Sequence, residues 1–232
     1  MHRSRCPLEP QVQDEGPVGI DGEYPPFQLN SSNMDKRQQI RTEMRTKRQQ
    51  LSLAERESAA LQLCHQLDRS RLFNTSQHIA LYLTNDGEID PFYLMQAAWQ
   101  RAKHCYLPVL AMRPANKLWF IDYQPDTPLC NNRFGIPEPI HQNKQRQFKT
   151  RQLDLILMPL VAFDLEGNRL GMGGGFYDRT LSYLKQRRYW HKPKLVGLAY
   201  EFQHHSSLPE QYWDVPLDAI ATEKAVYIIN SR

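Results

Sequence analysis

Apolar residues recur along this chain with two different periods, one typical of helices and the other of strands. A helix is predicted from Asp35 onwards. Its apolar side chains Ile40, Met44 and Leu51 fall within about 40° of one another on a helical wheel that advances roughly 100° per residue. The segment Ser52-Leu-Ala-Glu55 has the pattern of a capping box and predicts the start of a second helix.

Short apolar runs of strand length follow, separated by polar turns and by helix-period segments. The predicted strands are 78–83, 105–110, 118–123, 153–160, 195–200 and 225–229. Pro91 is expected to open a helix that runs to about Ala102, and the glycines at 173–175 lead into another helix. The run 153–160 is apolar on both faces, as in a buried parallel strand. The segment 124–151, rich in Pro, Asn and Gln, is interpreted as irregular.

Strands that alternate with helices predict an α/β fold, namely a single-domain three-layer sandwich in which helices flank a mostly parallel sheet. We assign this domain to residues 34–232. Residues 1–33 contain five prolines and three glycines and show neither period, so we expect a disordered N-terminal extension. Met34 stands directly before the first periodic helix, which suggests the hypothesis that translation starts there.

Composition narrows the class of protein. No apolar run has the length of a membrane span and the N-terminus lacks a secretory signal pattern, so we expect a cytoplasmic protein without membrane contact. The four cysteines are far apart and form no Cys-x-x-Cys pair, which argues against a zinc knuckle, a redox pair and a disulfide scaffold. The net charge of +4 is modest and excludes little.

The strongest chemical signal lies between Asp164 and Asp178, where four of five consecutive positions, 171–175, are glycine. We call residues 171–175 the glycine loop. Backbone N–H groups of such a loop can surround an anion at the start of a helix. Arg169 adds a cation suited to phosphate, and Asp178 a carboxylate within reach of a phosphate-bound metal ion. The spacing fits neither the Walker loop nor the dinucleotide-binding G-x-G-x-x-G motif, and a flexible turn is the alternative interpretation.

The segment 153–178 resembles the signature of the 5-formyltetrahydrofolate cyclo-ligase family, also called 5,10-methenyltetrahydrofolate synthetases. The core of that signature, Arg-Leu-Gly-x-Gly-x-Gly-[Tyr/Phe]-Tyr-Asp, is matched by residues 169–178. The similarity extends to three further segments, at 37–41, 87–90 and 213–218. It therefore covers about residues 35–229.

The resemblance implies a ligase that uses ATP and Mg²⁺ to close a ring on a reduced folate. The formyl oxygen of 5-formyltetrahydrofolate would attack the γ-phosphate of ATP, and the second folate nitrogen would then attack the resulting imidate phosphate. Phosphate leaves, and the products are 5,10-methenyltetrahydrofolate, ADP and phosphate. The protein would supply mainly positioning and charge neutralisation.

The resemblance also implies roles for individual residues. ATP contacts are implied for Arg37, Gln38, Gln39, Ile40, Arg41, Arg169, Leu170, Gly171, Met172, Gly173, Gly174, Gly175, Phe176 and Tyr177. Folate contacts are implied for Leu83, Glu88, Met172, Gly173, Gly174, Gly175 and Phe176. Asp178 and Asp214 match the metal-binding carboxylates, while Arg169 and Tyr177 are expected to act in catalysis. Some relatives carry basic residues where this chain has Met172 and Gly174, which leaves more of the phosphate charge to Arg169, Arg41 and Mg²⁺.

Several of these assignments have competitors in the sequence. A one-residue shift would put Lys36 in place of Arg37, and Asp218 competes with Asp214. A basic stripe along the first helix is also what an ordinary solvated helix face looks like. Its members are Arg37, Arg41, Arg45 and Arg48. Three aromatic residues are candidates either for stacking on a folate ring or for the core, namely Trp119, Tyr123 and Phe134.

Two other functions are compatible with parts of the pattern. A sugar-phosphate isomerase or CoA-transferase-like enzyme would also bind phosphate at a glycine-rich turn, but without a nucleotide. A non-catalytic RNA-binding module would use the basic helix and the basic residues at 185–194. The paired aspartates and the glycine loop fit an enzyme that uses ATP and Mg²⁺ better than they fit either alternative. We therefore expect an enzyme that binds no nucleic acid, and we also expect it to be a monomer. The basic residues at 185–194 are then a candidate site for the tail of a polyglutamylated folate.

Overall fold

The computed structural model of this chain describes residues 31–111, 116–140, 148–186 and 192–229, with side chains from Lys36 onwards. The α-helices in these ranges are α1 (Ser31–Gln50), α2 (Leu53–Leu67), α3 (Arg71–Asn74), α4 (Phe92–Gln100) and α5 (Phe176–Leu181). Short 3-10 helices lie at Thr150–Gln152, Ser182–Gln186 and Glu201–Gln203. Within the described ranges, no helix combines the length and the apolar character that crossing a membrane requires.

A seven-stranded sheet forms the centre of the fold. The strands, in chain order, are β1 (His78–Ala80), β2 (His104–Leu110), β3 (Leu118–Asp122), β4 (Leu129–Asn131), β5 (Pro137–Pro139), β6 (Leu155–Pro159), β7 (Ala162–Phe163), β8 (Arg169–Leu170), β9 (Lys194–Leu198), β10 (Ala219–Ala221) and β11 (Val226–Ile228). The order across the sheet is β11-β10-β9-β6-β1-β2-β3. Its five inner strands run parallel to one another, and β3 and β11 close the two edges in antiparallel register.

Helices cover both faces of the sheet, because side chains of the inner strands are apolar in both directions. On β6, Leu155 and Leu157 belong to the core cluster that includes residues of α2, α3 and α4. Ile156 and Met158 belong to a second cluster, which includes Leu181 of α5. This arrangement confirms the predicted three-layer α/β sandwich and the buried parallel strand within 153–160.

The strand order reverses between β1 and β6. The chain continues from β1 to β2 and β3 on one side, whereas β9, β10 and β11 extend the sheet beyond β6 on the other. In open α/β sheets, ligands bind outside the carboxyl ends of the strands at such a reversal. Tyr82 and Leu83 follow β1 and Leu160 follows β6, so these residues mark the position where a cleft is expected.

The N-terminal helices have the predicted character. The capping box of α2 is confirmed, since Ser52 Oγ accepts from the Glu55 N–H and Glu55 accepts from the Ser52 N–H at 2.8 Å. The helix α1 begins at Ser31, three residues before the predicted domain boundary. The predicted extension up to residue 30 lies outside the described residues, and the start at Met34 remains a hypothesis.

The interpretation of 124–151 as irregular is wrong for part of that segment. It contains the hairpin β4–β5, in which Leu129 pairs with Pro139 and Asn131 with Pro137. The predicted strands also omit β10 and the hairpin β7–β8. These strands have two or three residues each, which is too short for any periodicity to be counted. Residues 141–147 of the same segment lie outside the described residues.

Candidate active site

A cavity of about 1000 Å³ opens beyond the carboxyl ends of β1 and β6. Its walls come from α1, the glycine loop, the β4–β5 hairpin and the segment 211–214. This volume is at the upper end of what small-molecule sites in proteins usually have. Segments that are far apart in the sequence, and for which the sequence predicts binding or catalytic roles, therefore converge on one cleft.

The glycine loop bends through two left-handed backbone conformations, with φ of 100° at Gly173 and 61° at Gly175. Any other residue would be strained at either position. At Gly174, an added Cβ would lie 2.8 Å from the ring of Phe176, so that ring would have to move to admit a side chain there. Gly175 is the N-cap of α5, which confirms that the loop leads into a helix. Without side chains, this stretch of backbone can approach a ligand closely.

Arg37 and Arg41 lie one turn apart on α1, and both line the cavity. Arg37 forms an ion pair with Asp214, with 2.9 Å between Nη1 and Oδ2. Arg41 makes no ion pair in the described part of the chain: its Nε donates to the Gly171 carbonyl at 2.9 Å, and its Nη1 to Gln38 at 3.5 Å. Burial and the nearby charge of Arg37 lower the pKa of Arg41. Its guanidinium is therefore the better placed of the two to bind an anion.

Asp178 and Asp214 lie in separate elements and both line the cavity. The Asp214 carboxylate accepts from Arg37 and, at 2.9 Å, from the Gln211 N–H. Asp178 Oδ1 accepts from the backbone N–H of Val215, the residue after Asp214, at 3.2 Å. The same oxygen accepts from Arg169 at 2.5 Å. Asp178 Oδ2 has no hydrogen-bond partner among the described residues. The competitor Asp218 lies outside the cavity lining, where it accepts from Lys194.

Arg169 is 9% exposed, and its guanidinium is already engaged. It donates to Asp178 and to the carbonyl of Val215. Its charge is thus matched by a carboxylate, and its contacts tie the start of α5 to the segment that carries Asp214. These contacts fix the orientation of the Asp178 carboxylate.

Glu88 and Leu83 both line the cavity near the turn after β1. The backbone N–H of Asn85 donates to Glu88 Oε2 at 3.1 Å. Burial raises the pKa of Glu88 to about 7, although the Asn85 N–H and the charge of Arg48 act in the opposite direction. Burial and the neighbouring Glu88 also raise the pKa of Tyr177. Near neutral pH, Tyr177 is therefore a hydrogen-bond donor, and Glu88 exists in both protonation states.

Three of the predicted ATP contacts do not line the cavity. Ile40 is 5% exposed and Leu170 is 1% exposed, and both pack in a small core cluster between α1 and the β7–β8 hairpin. Gln39 is exposed and lies outside the lining. The other predicted contacts all line it, namely Arg37, Gln38, Arg41, Leu83, Glu88, Arg169, Gly171, Met172, Gly173, Gly174, Gly175, Phe176, Tyr177, Asp178 and Asp214.

Of the three aromatic stacking candidates, only Phe134 reaches the cavity. It is 53% exposed and makes an edge contact with Phe176, with 5.9 Å between the ring centroids. Tyr123 packs against Trp99 instead, and Trp119 lies outside the lining. An exposed aromatic ring beside a cleft offers an apolar face to a planar ligand.

Sequence reasoning missed the residues that the β4–β5 hairpin contributes. Glu138 is buried and lines the cavity, and its Oε2 accepts from the Leu110 N–H at 3.2 Å and from Asn132 at 3.1 Å. A signal was present: Asn132 is followed three residues later by Gly135, whose φ is 75°, a common pairing in tight turns. That turn could have indicated the β4–β5 hairpin, which forms one wall of the cavity.

Comparison with known proteins identifies the family. The sequence model of the 5-formyltetrahydrofolate cyclo-ligase family matches residues 33–223. The chain belongs to the 5-formyltetrahydrofolate cyclo-ligase family. It is 44% identical over 185 residues to the 5-formyltetrahydrofolate cyclo-ligase of Haemophilus influenzae, with 80% of this chain and 96% of that protein covered. The cyclo-ligase of Escherichia coli K12 is 42% identical over 149 residues, which is 64% of this chain and 79% of that protein.

Solved structures of similar proteins have the same fold. The NMR structure of 5,10-methenyltetrahydrofolate synthetase from Aquifex aeolicus superimposes with a TM-score of 0.69 at 33% identity and covers 84% of this chain and 94% of that one. A 5,10-methenyltetrahydrofolate synthetase from Mycoplasma pneumoniae gives a TM-score of 0.59 at 25% identity, with 81% and 98% covered. The resemblance drawn from residues 169–178 is confirmed, and this cyclo-ligase family member is an enzyme of the ligase class.

Proposed function

We propose that this chain converts 5-formyltetrahydrofolate to 5,10-methenyltetrahydrofolate at the expense of ATP, with Mg²⁺ as the metal. The observation that carries the proposal is the set of groups that line one cavity. The bare glycine loop, the Arg41 guanidinium and the carboxylates of Asp178 and Asp214 line the same cavity as Glu88. A nucleotide phosphate chain and a folate need these groups side by side. The relatives' names supply the substrate pair.

The nucleotide phosphates would bind between Arg41 and the glycine loop. An added Cβ at Gly173 would lie 3.7 Å from Arg41 Cζ, so the guanidinium lies directly beside the loop backbone. The bond from Nε to the Gly171 carbonyl holds the guanidinium in that position and leaves its terminal nitrogens toward a ligand. An anion bound there would accept hydrogen bonds both from backbone N–H groups of the loop and from the Arg41 guanidinium. Such a combination binds phosphate strongly.

Asp178 and Asp214 fit a Mg²⁺ ion by the chemistry of their donors. Mg²⁺ prefers oxygen ligands and commonly takes one or two carboxylates, with water and phosphate oxygens completing its shell. Asp178 Oδ2 is unengaged among the described residues, while Arg169 and Val215 fix the same carboxylate through Oδ1. The ion, when bound, would neutralise charge on the nucleotide phosphates. Arg169 would then act by orienting Asp178.

The folate would lie at the Glu88 side of the cavity. Glu88 can accept from an N–H edge of the ring system when ionised and donate to it when protonated, since burial raises its pKa to about 7. Tyr177 keeps its O–H as a donor because burial and Glu88 raise its pKa. Phe134 and Phe176 present ring surfaces on which an aromatic part of the substrate can pack.

The chemistry activates a poor leaving group. The formyl oxygen of the substrate attacks the γ-phosphorus and displaces ADP, which forms an imidate phosphate on the folate. The second folate nitrogen then attacks the imidate carbon and loses its proton. The carbon–oxygen bond breaks, so the formyl oxygen leaves as part of inorganic phosphate. The residues described above orient the reactants and offset charge, and none of them has to form a covalent bond.

We also propose the simplest cellular setting for this enzyme. It acts as a monomer in the cytoplasm through a single domain at residues 34–232, without a nucleic-acid or membrane partner. Its folates carry polyglutamate tails, which Lys185, Lys192 and Lys194 would attract on electrostatic grounds. Lys192 and Lys194 also form ion pairs, with Asp154 and Asp218. Three other basic residues of that predicted patch lie outside the described residues, namely Arg187, Arg188 and His191.

The test is the appearance of the methenyl-folate absorbance band. Purified protein is mixed with 5-formyltetrahydrofolate, ATP and Mg²⁺, and parallel reactions omit ATP or chelate the metal. We expect product only when the folate, ATP and Mg²⁺ are all present, with one ADP formed per methenyl-folate. Product without nucleotide would contradict the ATP requirement, and no product from folded protein would contradict the substrate assignment.

A further inference from the structure

One arginine of α1 is completely buried outside the cavity lining. Arg48 is 0% exposed, and its Nη2 donates to Asp86 Oδ2 at 2.7 Å. Its Nη1 donates to the carbonyl of Leu160 at 3.3 Å, and Nη2 also lies 3.9 Å from Met172 Sδ. A single guanidinium thus contacts the turn before Glu88, the residue that follows β6, and the glycine loop.

Asp86 attaches that turn to α1. It accepts from Arg45 at 2.7 and 3.3 Å, from Arg48 at 2.7 Å and from Gln49 at 2.9 Å. Burial alone would raise the pKa of Asp86, but the hydrogen bonds from Arg45 and Gln49 and the charge of Arg48 outweigh it, so the pKa is lowered. Asp86 is therefore ionised throughout the neutral range and keeps these bonds.

The backbone of the turn also packs directly on the helix. Asp86 and Gly87 have φ of 51° and 71°, and a Cβ on Gly87 would lie 3.3 Å from the Arg48 carbonyl oxygen. Only glycine combines the left-handed conformation with this close approach. Glu88 follows immediately, so its position depends on how the turn is attached to α1.

We propose that Arg48 and Asp86 are positioning residues that hold the Glu88 turn and the glycine loop in a fixed relation to each other. The inference rests on the proposed function, because these two segments are the ones assigned to folate and to ATP. The formyl oxygen and the γ-phosphate must meet for the reaction to start. A displacement of about 1 Å between reactants can cost about 100-fold in rate.

The burial of the pair supports a role in geometry. Buried ion pairs add little net stability, because desolvation offsets much of their attraction, and apolar residues of similar volume often replace them without loss. The Arg48 guanidinium lies in the interior even though its Nε has no hydrogen-bond partner among the described residues. What the guanidinium supplies here, and an apolar side chain would not, is simultaneous contact with Asp86, Leu160 and Met172.

Hydrogen exchange without substrate tests the positioning role independently of catalysis. Arg48→Met keeps the length of the side chain and removes the fork. The matched control is Arg45→Met. Arg45 donates to the same Asp86, but it contacts neither Leu160 nor the glycine loop. The reporter for the glycine loop is the amide of Arg179, which donates to the Gly175 carbonyl at 3.0 Å, and the reporters for the turn are the amides of Asn85 and Glu88, which are bonded within it. In Arg48→Met all three amides should exchange at least about 10-fold faster, whereas Arg45→Met should leave the Arg179 amide within about 2-fold of wild type.

Steady-state kinetics provide the second measurement. Arg48→Met should lower kcat by at least about 10-fold, because bound reactants are no longer aligned, while each KM changes by less than about 3-fold. Arg48→Lys restores the charge but not the fork and should recover only part of kcat. Arg45→Met should retain kcat within about 3-fold of wild type.

Each outcome decides for or against the inference. Equal exchange of the Arg179 amide in Arg48→Met and Arg45→Met would overturn it, as would faster exchange spread over the whole sheet. If Arg48→Met does not fold, Asp86→Asn replaces it, since the amide keeps the shape of the turn and removes the charge. Failure of the wild-type enzyme to form methenyl-folate would refute the proposed function instead, and the exchange result would still stand on its own.

Discussion

Replacement of Arg41 by methionine should weaken the use of ATP while leaving the fold intact. Arg41 makes one short hydrogen bond, 2.9 Å from Nε to the Gly171 carbonyl, and a longer one of 3.5 Å to Gln38. Because these contacts are few, we expect the free energy of unfolding to change by no more than about 0.5 kcal/mol. A hydrogen bond between charged groups contributes about 1.5–3 kcal/mol. On that basis kcat/KM for ATP should fall about 10- to 150-fold.

The assay is the initial rate of methenyl-folate formation as a function of ATP, at saturating 5-formyltetrahydrofolate. Lys47→Met is the matched control, because Lys47 lies on the same helix and pairs with Glu43 on the exposed surface, outside the cavity lining. It should behave like wild type. Arg41 does not bind ATP as proposed if Arg41→Met, with unchanged thermal stability, keeps kcat/KM for ATP within about 3-fold of wild type, or if only the KM for folate changes.

Two further predictions concern stability. Burial raises the pKa of Glu88 to about 7, so folding takes up a proton and the native state loses stability as the pH rises from about 4.5 to 7. Glu88→Gln removes this loss, and its stability relative to wild type in urea denaturation should increase by about 2–3 kcal/mol between about pH 5 and pH 8; a difference independent of pH would contradict the assignment. Gly197→Ala adds a Cβ to β9 that would lie 2.8 Å from Leu217 Cδ1 and closer still to Leu160. It should destabilise the protein by about 1–3 kcal/mol in the same assay, and wild-type stability would show that the core can yield there.

The elements that sequence reasoning predicted are those with a countable pattern. The apolar run at 153–160 predicted a parallel strand buried on both faces, and β6 occupies its centre. Ser52 and Glu55 predicted the start of α2 through a local exchange of hydrogen bonds. By contrast, β4 and β5 have three residues each, with prolines at both ends of β5. Their pairing depends on tertiary contacts, which the periodicity of apolar residues within a short segment does not indicate.

The candidate site was predictable where a local motif carries the chemistry. The glycines of 171–175 indicated close backbone approach, and the structure lines the cavity with them. The interpretation of neighbouring residues as contacts was less successful, because the helical period turns Ile40 into the core while Arg41 lines the cleft. Arg48 was counted only as part of a basic stripe, since the sequence contains no sign that this arginine is buried.

Phosphorylation of the formyl oxygen before ring closure is the step on which the proposed function depends, and an isotope label follows it directly. 5-Formyltetrahydrofolate carrying ¹⁸O in the formyl group is converted with unlabelled ATP and Mg²⁺, and the inorganic phosphate is analysed by mass spectrometry. We expect the label to appear in phosphate, with one labelled oxygen for each methenyl-folate formed. Unlabelled phosphate, with the ¹⁸O released to water, would contradict it.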